Sequence, residues 1–60
     1  MSKVSMYKVE YWSDADNYWI KSSMHRNEVS AIVNWEVLVQ GGKIARIIHE
    51  GKIIRSSEVL

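Results

Sequence analysis

The sequence predicts an α+β fold, a four-stranded, mainly antiparallel sheet with one helix on one face, in the order β-β-α-β-β. Three observations carry this. Two segments near the start alternate polar and apolar residues and are joined by a polar turn. The segment from Asn27 to Gln40 is rich in apolar residues and ends in Gly41-Gly42. Two isoleucine-rich runs are split by Glu50-Gly51. The alternative is a small all-β barrel in which Asn27 to Gln40 is a fifth strand.

The first element runs from Met6 to Trp12. Tyr7, Val9 and Tyr11 fall on one side and Lys8, Glu10 and Trp12 on the other, the period of a half-buried strand. Ser13-Asp14-Ala15-Asp16-Asn17 collects residues whose short polar side chains bond their own backbone, and it forms the turn into a second strand, Tyr18 to Met24. In that strand Tyr18, Ile20 and Met24 are expected inward, with Trp19, Lys21 and Ser23 outward.

From Asn27 to Gln40 both periods fit. With period two, Val29, Ala31, Val33, Trp35, Val37 and Val39 share one side, whereas at helical spacing Ala31, Ile32, Trp35, Leu38 and Val39 gather on one face. The ends favour the helix. Asn27 can cap the N-terminus, Glu28 meets the positive end of the helix dipole, and Gly41-Gly42 supplies a left-handed stop. Lys43 to His49 and Lys52 to Ser56 then form a second hairpin around Glu50-Gly51, closed by a two-residue turn or by a three-residue loop with a bulge. The tail Ser57 to Leu60 is expected to fray. The predicted core is Tyr7, Val9, Tyr11, Ile20, Ala31, Ile32, Trp35, Leu38 and part of the isoleucine hairpin.

Sixty residues, 47% hydrophobic and 25% charged, make one small domain spanning 1–60, too small to enclose a deep pocket. Without cysteine there is no disulfide. His25 and His49 are the only histidines and lie far apart, so no metal or other cofactor is expected. Both are read as solvated surface residues. Asp14 and Asp16 resemble the start of a calcium loop, but the later glycine and glutamate of such a loop are missing. No serine, lysine or paired carboxylate stands in a catalytic pattern, and no enzyme is expected. The formal charge of +1 falls short of a nucleic-acid binder's basic footprint. Apolar runs are too short to span a bilayer or form a signal peptide, so a cytoplasmic chain without membrane contact is expected.

Two features exceed what a solitary core needs. Eight of the twelve residues from Glu28 to Val39 are apolar, and Val29, Val33 and Val37 form a second helix stripe beside the main one. This predicts a homodimer, or a tighter oligomer, that buries these valines or the outer isoleucines of the second hairpin, since Ile44, Ile47, Ile48, Ile53 and Ile54 cannot all point to one face of a pleated sheet. The other feature is the outward side of the first hairpin, where Lys8, Trp12, Trp19 and Lys21 gather. Arg46 and Arg55 join them if a two-residue turn makes the arginines cross-strand neighbours. These six are the candidate partner-binding residues.

Tyr7-Lys8-Val9-Glu10-Tyr11-Trp12, the polar turn, Ala31-Ile32 with Leu38, Gly42-Lys43-Ile44-Ala45-Arg46-Ile47-Ile48 and Gly51-Lys52-Ile53-Ile54 together resemble the short β-β-α-β-β orphan proteins of phages and prophages. The resemblance covers nearly the whole chain by pattern and contains no catalytic motif. It implies a small phage-type protein that binds and blocks, or otherwise modulates, a host protein. The alternative is a nucleic-acid-binding module in which Trp12 and Trp19 stack on bases and Lys8, Lys21, Arg46 and Arg55 meet phosphates.

Overall fold

A computed structural model describes residues 5–58, so Val59 and Leu60 of the expected frayed tail lie outside the described residues. The order is β1 (Tyr7–Ser13), β2 (Tyr18–His25), α1 (Glu28–Gln40), β3 (Ala45–His49) and β4 (Lys52–Ser56). The strands form one antiparallel open sheet in the spatial order β2-β1-β3-β4, with the helix on one face and no closure into a barrel.

Asn27 to Gln40 is helical because its ends are bonded as a helix requires. The Ser30 N–H donates to Asn27 Oδ1 at 2.8 Å, and Glu28 occupies the first turn. At the other end Gly42 N–H donates to the Val39 carbonyl and Lys43 N–H to the Leu38 carbonyl, each at 3.0 Å. This pair of bonds needs a left-handed residue after the last turn. Gly42, at φ +87°, provides it.

The helix lays Ala31, Ile32, Trp35 and Leu38 on the sheet. Val9, Ala31 and Ile47 form the fully buried centre, with Tyr7 beside them. Ala45 is also buried, and its carbonyl accepts the Trp35 indole N–H at 2.9 Å. Tyr11 and Ile20 are half-buried partners across β1 and β2. Tyr18, expected inward, sits at the end of the sheet opposite Ser13 and is 56% exposed.

Two bulges correct the expected registers. Between Val9 and Glu10 the β1–β2 ladder shifts by one residue, so Val9 faces Ser23 while Glu10 faces Lys21. A one-residue slip exchanges the faces of a strand. Ser23 therefore turns inward, where its hydroxyl donates to Asn34 Oδ1 on the helix at 2.9 Å, and Met24 turns outward opposite Lys8, 45% exposed. In the second hairpin Glu50 (φ 52°) and Gly51 (φ 76°) form a two-residue turn between His49 and Lys52. A bulge after Ile53 then pairs Ile47 with Arg55 and Arg46 with Ser56.

The start of the expected tail does not fray. Ser57 N–H donates to the Ala45 carbonyl at 2.9 Å, and its hydroxyl oxygen accepts from Ala45 N–H at 2.9 Å. Among the described residues no helix is long and apolar enough to cross a membrane.

Candidate functional site: the open face of the sheet

With Tyr7 and Val9 committed to the helix side, alternation sends Lys8, Glu10 and Trp12 to the opposite, uncovered face. The registers add neighbours in three rungs. One rung is Met24, Lys8, Ile48 and Ile53, the next is Lys21, Glu10, Arg46 and Ser56, and the third holds Trp19 beside Trp12. A charged rung thus separates an aromatic one from one in which Met24, Ile48 and Ile53 accompany Lys8.

The charged rung is tightly tied. Glu10 is only 8% exposed, and its carboxylate accepts from Arg46 Nε at 2.8 Å while the Lys8 ammonium stands 3.3 Å away. A carboxylate so removed from water needs both partners. The Arg46 guanidinium lies with Cζ 3.9 Å from the centre of the Trp19 ring, and Trp19 meets Trp12 edge to face at 5.5 Å. These contacts are of the kinds worth about 0.5–2 kcal/mol for cation on ring and about 0.5–1.5 kcal/mol for ring on ring. Trp19, Arg46 and Glu10 therefore form one fixed unit. Among the described residues, Lys8, Lys21 and Arg46 against Glu10 give the rungs of this face three cations and one anion. By contrast, α1 carries only Glu28 and Glu36 as charged residues.

Of the six candidate partner-binding residues, Lys8, Trp12, Trp19, Lys21 and Arg46 meet on this face, and Arg55 does not. The bulge after Ile53 sets Arg55 opposite Ile47, on the helix side, with its guanidinium 6.0 Å from the Trp35 ring. Val29, Val33 and Val37 run along the back of the helix and are 71%, 57% and 63% exposed. They line a shallow groove with His25, Ser30 and Asn34.

Neither histidine is a free surface group. His25 is half-buried, and its Nε2 stands 2.8 Å from the Ser23 hydroxyl. Because that hydroxyl donates its proton to Asn34, the imidazole must be the donor to Ser23, the reverse of what activates a serine nucleophile. His49 stacks on Tyr7 with ring centres 3.8 Å apart, and its Nδ1–H donates to the Met6 carbonyl at 3.3 Å. The Ser23–His25–Asn34 chain has no sequence signature, since it exists only because the bulge turns Ser23 inward.

At the far end of the sheet, Tyr11, Trp12, Asp14, Asp16, Lys43 and Ile44 line an open cleft of about 490 Å³. Asp16 there accepts from the Ser13 hydroxyl at 3.1 Å, as a turn residue does. Among the described residues no group of three His, Asp or Glu side chains is placed to hold a metal ion. No protein-family model, curated protein or solved structure matches the chain.

Proposed function

We propose that the chain is a non-enzymatic interaction protein that docks a protein partner on the open face of its sheet and modulates or inhibits it. One observation carries this reading: the sheet face opposite α1 gathers Trp12, Trp19, Arg46, Ile48, Ile53 and Met24 beside its lysines and Glu10. Tryptophan, arginine and methionine are the residues enriched in protein interfaces, and tryptophan and arginine dominate their energetic centres. The resemblance to phage-type orphan proteins makes a host protein the expected partner.

Nucleic acid fits this face less well. A base would stack on Trp19, but Arg46 already covers that ring, and Arg46 and Lys8 are partly neutralised by Glu10. Of the cations on this face, that leaves Lys21 without an acidic partner within salt-bridge distance among the described residues.

The valine stripe supports a second contact of the same protein, with its own copy. Val29, Val33 and Val37 recur every four residues and carry no charge, so two helices can interleave these ridges back to back about a two-fold axis.

The test of docking is capture on the immobilised chain from a lysate of the cell that makes it, comparing the unmodified protein with Trp19→Ala. The expected result is a retained protein that Trp19→Ala loses. Single-stranded or duplex nucleic acid bound more tightly than about micromolar at about 150 mM salt, and lost in Trp19→Ala, would overturn the reading.

A further inference from the structure

We infer that the open face recognises carboxylates, so that its partner presents an acidic amphipathic helix; this inference rests on the docking reading above and names the chemistry of the occupant. Arg46 lies at the centre of this face. Its Nε–H is held by Glu10 at 2.8 Å and one face of its guanidinium is covered by Trp19, so the side chain is fixed before any partner arrives. The Nη groups make no hydrogen bond among the described residues, and no side-chain nitrogen or oxygen among them is both buried and unpartnered. The Nη groups are therefore not sealed from solvent, on a side chain that is 21% exposed. A guanidinium fixed at Nε and stacked on a ring presents its Nη edge as a planar donor pair, the geometry that matches a carboxylate.

Lys21 supplies a second cation. It lies in the same rung on the other side of Glu10, two strand spacings from Arg46, or roughly 10 Å. A helix rises about 1.5 Å per residue, so acidic residues seven apart span that distance on one face. The rungs on either side, Met24 with Ile48 and Ile53, and Trp12 with Trp19, offer apolar contact to the rest of such a helix. The three cations against one buried carboxylate make the face complementary to an acidic surface and unfavourable to a second copy of itself.

The probes are three: a synthetic leucine-based amphipathic peptide with two glutamates seven residues apart, the same peptide with glutamine in their place, and an oligothymidine. Binding is read from tryptophan fluorescence and from the Arg46 Nε–H and Trp19 indole N–H resonances. The glutamate peptide is expected to bind and move both resonances, the glutamine peptide to bind at least about tenfold more weakly, and Arg46→Lys to weaken glutamate-peptide binding about tenfold by removing the planar donor pair. Lys21→Gln, at an exposed position that cannot disturb the core, should weaken it severalfold, which keeps the test decisive even if Arg46→Lys fails to fold. Equal binding of the two peptides at a site lost in Trp19→Ala would overturn the carboxylate inference and leave docking intact. No response of either resonance to the glutamate peptide would also overturn it, while docking would still stand or fall on the capture experiment. Tighter binding of oligothymidine than of the glutamate peptide would overturn both.

Discussion

Ile47 is the side chain on which the stability of this small sheet should depend most, and its truncation gives a graded test of the packing. It is fully buried, opposite Val9 across the β1–β3 ladder and within the Val9–Ala31 centre. Ile47→Val removes one methylene but keeps the β-branch that suits a strand, so it isolates burial from strand preference. The expected loss is about 0.5–1.5 kcal/mol, and for Ile47→Ala about 2–5 kcal/mol. A sixty-residue domain has total stability of about 3–9 kcal/mol at ordinary per-residue values. The valine variant should therefore fold with its melting point lowered by roughly 4–8 °C per kcal/mol, and the alanine variant should lose most of its cooperative transition. Ile53, 55% exposed on the open face, is the control, and Ile53→Val should change stability by less than about 0.5 kcal/mol. Urea titration followed by tryptophan fluorescence and circular dichroism measures all three. Equal midpoint shifts for Ile47→Val and Ile53→Val, or an unmoved midpoint for Ile47→Ala, would refute the packing argument.

The two adjacent glycines should respond in opposite senses. Gly42→Ala puts a side chain at φ +87° and should destabilise by about 1–2 kcal/mol although nothing lies near enough to clash, whereas Gly41→Ala, at φ −80° with only ordinary contacts, should be neutral or stabilise by up to about 1 kcal/mol; thermal melts of both decide it. Val33→Glu places a charge in the middle of the helix-back stripe and should convert a concentration-dependent dimer into a monomer without altering the circular dichroism spectrum. Sedimentation that shows the unmodified chain to be monomeric throughout a concentration series would sink the self-association proposal.

The parts of the fold legible in the sequence are those set by short-range chemistry. Asn27, Glu28 and Gly41-Gly42 resolved the competition between helix and strand because capping bonds form within a few residues of the helix ends, and the structure makes those bonds. Alternation in β1 placed Tyr7 and Val9 inside and Lys8, Glu10 and Trp12 outside, since a strand without irregularity keeps its period. Glu50-Gly51 likewise marked its own turn. For the site, the gathering of Lys8, Trp12, Trp19 and Lys21 follows from that same alternation across one hairpin and needs no long-range contact.

What the tertiary structure alone decided is how these elements are shifted against one another. The bulge at Ser22 in β2, opposite the Val9–Glu10 step, sends Ser23 inward to Asn34 and Met24 outward, and the bulge after Ile53 sends Arg55 to the helix side, away from Arg46. A bulge is the placement of one extra residue, fixed by how well two strands and the helix above them pack together, and a pattern of residue types with period two does not reveal where it falls. The Glu10–Arg46–Trp19 unit depends on β3 lying beside β1, a contact between residues 36 positions apart. Short-range propensity and capping in the sequence therefore determined which elements form and which face of β1 is open. The pairing of distant strands, which the sheet settles by burying Val9 and Ile47 together beneath Ala31, determined which charges meet on that face.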